Sequence, residues 1–145
     1  MKKITKIIIV SLVVLSFVFV LASCAILDKD PVKLAQALDD ESYDTEIMSD
    51  ADYFEEMAEE TGSSDKDIVW MMNIDSEGYY DAYGTLIYVK KTGSAKDLQE
   101  DLEDYLKDEK KNDTYGEYED TIVARKGKYV FVGSEEIWND LLGKD

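Results

Sequence analysis

Asn73, Asp75, Glu77, Gly78 and Asp81 set oxygen-bearing side chains at near-alternating positions around a glycine. A loop that wraps a hard cation such as calcium uses this pattern. The closing bidentate carboxylate is missing, because Gly84 stands at its position, and the segment reads equally as a hairpin turn. Asp75, Glu77 and Asp81 are the candidate ligands should a cation bind, but no resident metal or other cofactor is expected. Tyr79, Tyr80 and Tyr83 crowd the same segment. Flat amphipathic rings stack against sugars and peptides, which makes these three a candidate ligand surface. Packing across strands is the commoner use of such residues. Arg125, Lys126 and Lys128 form a dense basic spot that could hold an anion, although such residues more often blunt a sheet edge. Paired carboxylates could hydrolyse glycosides, yet among 33 acidic residues chance pairs abound and no feature singles one out.

The chain has one cysteine and no histidine among its 145 residues. Intramolecular disulfides, cysteine–histidine zinc sites and every mechanism that needs an imidazole are thereby excluded. Formal net charge is −17. The first 23 residues contain Lys2, Lys3 and Lys6 and no acid, so 16 basic residues less three leave 13 against 33 acidic, a balance of −20 from Cys24 onward. Such a field repels phosphate backbones and anionic lipid, so neither nucleic-acid binding nor a domain lying flat on a membrane is expected. Ten tyrosines and two tryptophans supply a core that disordered chains lack.

Met1 to Lys6 is basic, Ile7 to Leu21 is an apolar run broken only by Ser11 and Ser16, and Leu21-Ala22-Ser23-Cys24 follows directly. This is the layout of a secretory signal. The tetrapeptide resembles the lipobox of bacterial lipoproteins, which implies cleavage before Cys24 and acylation of its thiol. The small Ala22 and Ser23 suit an extended backbone in a peptidase cleft. The alternative is an uncleaved anchor, since Ile7 to Leu27 is uncharged and long enough to span a bilayer as a helix. In both cases the lysines stay inside and the acidic part lies on the extracytoplasmic face of the cell membrane. The expected layout is a signal peptide over 1–23, a lipidated tether over 24–30 and one acidic domain over 31–145.

Asp30-Pro31 reads as an N-cap and first helical residue for a short helix to about Asp39. Ser49-Asp50-Ala51-Asp52 reads as a capping box for a second helix stopped by Gly62. Ile68 to Ile74 and Ala82 to Lys90 read as a hairpin, with Trp70 in the core. Ser94-Ala95-Lys96-Asp97 opens a third helix to about Lys110, with Leu98, Leu102, Tyr105 and Leu106 at helical spacing. Thr121 to Arg125 and Tyr129 to Gly133 form a second hairpin around Lys126-Gly127. Ser134 then caps a closing helix that carries Trp138 and ends at Gly143. The expected fold is α+β: a small, mostly antiparallel four-stranded sheet with helices packed on one face.

Leu86-Ile87-Tyr88-Val89-Lys90, the helix with Leu98, Leu102 and Leu106, and Lys126-Gly127-Lys128-Tyr129-Val130 give the stretch from about Tyr83 to Leu142 a further likeness. It resembles the DUF4358 family of uncharacterised Firmicutes lipoproteins. The resemblance implies a lipoprotein address and carries no activity with it. The expected function is a non-enzymatic, lipid-anchored binding or interaction module whose partner is an envelope protein, peptide or glycan. A small-ligand or cation-binding lipoprotein and a carboxylate-based envelope hydrolase are the alternatives.

Overall fold

The computed structural model describes residues 26–76 and 82–144. The expected signal peptide, the lipobox residues Leu21, Ala22 and Ser23, and Cys24 lie outside the described residues. So do Glu77, Gly78, Tyr79, Tyr80 and Asp81. Among the described residues no helix is long and apolar enough to cross a membrane.

Helix α1 (Pro31–Asp40) starts where its sequence signals place it, with the Asp30 carboxylate accepting the Val32 N–H at 3.0 Å and proline at the head. Ser42, at φ 68°, turns the chain into strand β1 (Tyr43–Met48). Helix α2 (Ala51–Thr61) is capped by Asp50 rather than Ser49, through the Asp52 N–H at 3.2 Å, and ends in the left-handed Gly62. Strands β2 (Ile68–Ser76) and β3 (Tyr83–Val89) pair antiparallel. Helix α3 (Thr92–Asn112) begins before the expected Ser94 cap, and the Ser94 hydroxyl donates to Asp67 instead. Strands β4 (Thr121–Lys126) and β5 (Tyr129–Ser134) form the second hairpin, and helix α4 (Glu135–Leu141) closes the fold. Ser134 does not cap α4 with its side chain. Its hydroxyl accepts the Tyr83 N–H at 3.1 Å, which ties β3 to the end of β5.

The sheet is antiparallel, in the order β1-β2-β3-β5-β4, and corrects the sequence expectation twice. It has five strands where four were expected. The added strand, β1, is an edge strand that alternates Tyr43, Thr45 and Ile47 with Asp44 and Glu46, and those acids keep the open edge from pairing with another chain. Helices also cover both faces, where one covered face was expected: α1 and α4 lie on one, α2 and α3 on the other. The reason is in the central strands. Trp70, Met71 and Met72 are buried in succession, as are Leu86 and Ile87, so side chains leave β2 and β3 on both sides and each side needs a cover.

On the α1–α4 face Leu34, Leu38, Met72, Ile74, Leu86, Phe131, Ile137 and Leu141 are inaccessible to solvent. Each such side chain contributes about 1.5–3 kcal/mol by burial. The Phe131 ring stacks on Trp138 at 5.6 Å. It lies across the paired Gly84 and Gly133, and a Cβ on Gly84 would sit 2.3 Å from the ring. Gly84, which breaks the cation-loop pattern, is thus required by the core. Residues 26–30, expected as part of a tether, also lie against this face. Ile26 donates its N–H to Leu141 O at 3.1 Å, Ile26 and Leu27 pack on the core, and the Trp70 indole donates to Lys29 O at 3.1 Å.

Candidate functional site

The opposite face is less completely filled. Cross-strand pairing sends Met71, Ile87, Thr85 and Val132 to the same side of β2, β3 and β5. Met57 and Thr61 of α2 stand to one side of this floor, and Leu102, Tyr105 and Leu106 of α3, spaced three and four apart, to the other. Between them remains a cleft of about 200 Å³ with Tyr83, Tyr118, Thr121 and Glu60 completing its lining. Tyr83 is 43% exposed.

Each phenol is positioned by local bonds. Tyr83 Oη shares a hydrogen bond with Thr121 Oγ1 at 3.1 Å and donates to Glu117 O at 3.4 Å. Tyr105 Oη donates to Glu60 Oε1 at 3.3 Å, which bridges α3 to α2. Burial, with the charges of Glu60 and Glu109, pushes the Tyr105 phenol up to about 12. Tyr118 is held by a turn that Asp113 organises, its carboxylate accepting N–H groups from Tyr118 at 2.8 Å, Gly116 at 2.9 Å and Tyr115 at 3.1 Å. These backbone bonds, led by the one from Tyr118, keep the Asp113 carboxyl below the usual carboxylate range. On the floor, Thr85 Oγ1 donates to Asn73 Oδ1 at 2.9 Å, so the polar pair is satisfied internally. The result is an apolar slot with phenols at its lip. It is suited to an apolar or aromatic group that carries a hydrogen-bonding edge.

Of the three tyrosines singled out in the sequence, Tyr83 belongs to this cleft, and Tyr79 and Tyr80 lie outside the described residues. Of the cation-loop set, Asn73 and Asp75 stand in β2, Asp75 paired with Asp44 on one side and Tyr83 on the other. Glu77 and Asp81 lie outside the described residues. Among the described residues no three cysteine, histidine or carboxylate side chains gather as ligands for a metal ion. Trp70 and Trp138 are buried, as expected. Arg125 reaches along the sheet edge, its Nε donating to Gln99 Oε1 of α3 at 3.0 Å. A second, broader hollow of about 540 Å³ is flanked by Glu119, Asp120, Glu135 and Glu136. There Lys110 Nζ donates to Thr121 O at 2.9 Å and Glu119 O at 3.3 Å.

Tyr105, Tyr118 and Met57 were not recognised from the sequence. Tyr105 lies on the apolar stripe of α3, where it reads as core. Tyr118 carries no pattern, because its position comes from the Asp113 turn. No family model, no curated protein and no solved structure matches the chain.

Proposed function

We propose that this chain is a lipid-anchored module on the extracytoplasmic face of the cell membrane, and that its cleft takes one apolar or aromatic side chain of an envelope protein or peptide. The anchor is supported by the basic start, the apolar run and Leu21-Ala22-Ser23-Cys24. The binding role rests on one observation, the apolar slot between α2 and α3 rimmed by Tyr83, Tyr105 and Tyr118. Its volume favours a protruding side chain over an enclosed small molecule, because about 200 Å³ is below the roughly 300–1,000 Å³ of pockets that enclose drug-sized ligands.

Two measurements test the two halves. The intact mass of membrane-extracted protein should match residues 24–145 plus acyl chains, with Cys24→Ala left unprocessed. A full-length, lipid-free mass would remove the lipid anchor. For the cleft, a photo-crosslinking amino acid at Tyr118 should give a discrete adduct in cells that the same group at the exposed Glu100 does not. Met57→Trp, which fills the slot, should abolish that adduct. Equal labelling from Tyr118 and Glu100 would sink the binding role.

A further inference from the structure

Exposed bases gather at one end of the sheet, where carboxylates lie among them, while the other end is acidic. β3 ends at Val89, followed by the exposed Lys90 and Lys91, and Val89 N–H donates to Lys128 O at 3.0 Å across the β4–β5 turn. Lys90 N–H donates to Asp67 O at 2.8 Å, which brings in Lys66, and Lys66, Lys90 and Lys91 all act on the Asp67 carboxylate. Arg125 and Lys126 close β4 at this end, and Lys29 passes beside Trp70. All seven of these basic residues are exposed. The carboxylates among them are Asp28, Asp30, Asp65 and Asp67, with Asp97 and Asp101 nearby on α3, and Asp50 and Asp52 form an acidic corner beyond β1. At the other end stand Glu119, Asp120, Glu135 and Glu136.

We infer that the basic end is a docking surface for anionic phospholipid, and that the domain stands on the bilayer by this end with its acidic end outward. Two observations choose lipid as the occupant. The first is charge complementarity. The second is the route of the chain, because residues 28 and 29 cross this end beside Tyr129 and Trp70. Here the inference rests on the anchor reading: Cys24 is two residues before the docked Ile26, so a lipid there holds the fold within about 7 Å of the headgroups.

Net charge opposes this contact, and the range of screening decides between them. A six-residue strand places the far acids about 20 Å away. At about 0.1 M salt the Debye length is about 10 Å, so the surface interacts with the near lysines and hardly with the far acids. At about 0.01 M it is about 30 Å, and the whole acidic molecule is repelled. At about 1 M even near contacts are screened. Attachment through this end therefore peaks at intermediate salt, whereas a uniformly acidic domain is repelled less and less as salt rises.

The test uses the full chain, purified from membranes, with phosphatidylglycerol-containing vesicles or phosphatidylcholine vesicles. A membrane-impermeant amine reagent and mass spectrometry give the rate at each lysine. With phosphatidylglycerol at intermediate salt, Lys90, Lys91, Lys126 and Lys128 should react several-fold more slowly than with phosphatidylcholine, while Lys107 and Lys111, towards the far end of α3, keep their rates. The effect should fade at both salt extremes. Lys126→Glu with Lys128→Glu, on an exposed turn, should restore the rates of Lys90 and Lys91. Equal rates in the two lipids would overturn the inference, as would protection that only declines or only grows with salt. A lipidated chain without protection removes the docking end alone. An unlipidated chain with protection removes the lipid anchor and keeps the docking end.

Discussion

The two faces of the sheet differ in how completely they are filled. On the α1–α4 face the large side chains interlock until Phe131, Leu86, Met72 and Ile137 have no accessible surface, and two glycines admit a ring across the strands. On the α2–α3 face Leu98 and Leu102 cover Met71 and Ile87, but Asn73, Thr85 and the tyrosines take positions that aliphatic residues would seal, and a slot remains. A close-packed layer resists any loss of volume, whereas a layer that already has a void has less to lose. The first face is organised for stability and the second leaves a slot open.

Truncation gives the largest expected contrast. Phe131→Ala, which opens the interlocked face and removes the stack on Trp138, should cost about 3–5 kcal/mol in urea unfolding. Leu102→Ala borders the existing slot and should fall near the lower end of the leucine range, about 2 kcal/mol. Equal costs relative to side-chain size would erase the distinction between the faces. Gly84→Ala should cost about 1–3 kcal/mol by forcing a Cβ against the Phe131 ring, and less in a Phe131→Leu background.

Each face also carries a reporter phenol. Tyr129, against Trp70 and Tyr88, is pushed up to about 12 by burial, with lesser contributions from Tyr88 and Asp28, and Tyr105 reaches about the same value beside the slot. Both exceed the ordinary tyrosine value of 10.0, so the unfolded chain ionises first and the folded chain keeps its protons. Stability should therefore fall as pH rises from about 10 to about 12. Burial also pushes Tyr43 and Tyr118 up, so phenolate absorbance should show several late-titrating groups, one of them lost in Tyr129→Phe and another in Tyr105→Phe. The smallest effects belong to the caps: Asp30→Ala on α1 and Asp50→Ala on α2 should each cost about 1 kcal/mol in thermal unfolding.

Elements with a strong local signal were legible in the sequence. Asp30-Pro31, Gly62 and the leucines of α3 mark helices that exist, and both hairpins stand where apolar runs and turn residues set them. Strand β1 was overlooked although Tyr43, Thr45 and Ile47 alternate with acids, because a polar hexapeptide between two helices resembles a loop until a partner strand is known. The second helical layer was legible only in the consecutive burial at Trp70-Met71-Met72, which a single-faced reading takes as a plain apolar run. Of the cleft, Tyr83 alone was singled out. Its other walls come from α2, α3 and the Asp113 turn, and local sequence does not report that such distant segments meet.

The bond from Ile26 to Leu141 joins the first described residue to the last helix. Synthesis proceeds from one to the other, so the α1–α4 face has no complete cover until α4 has been made. During that interval Phe131 lacks Trp138, and residues 26–30 have nothing at Leu141 to dock against. The order of the elements therefore keeps this face from closing early, and it locks only when α4 is available.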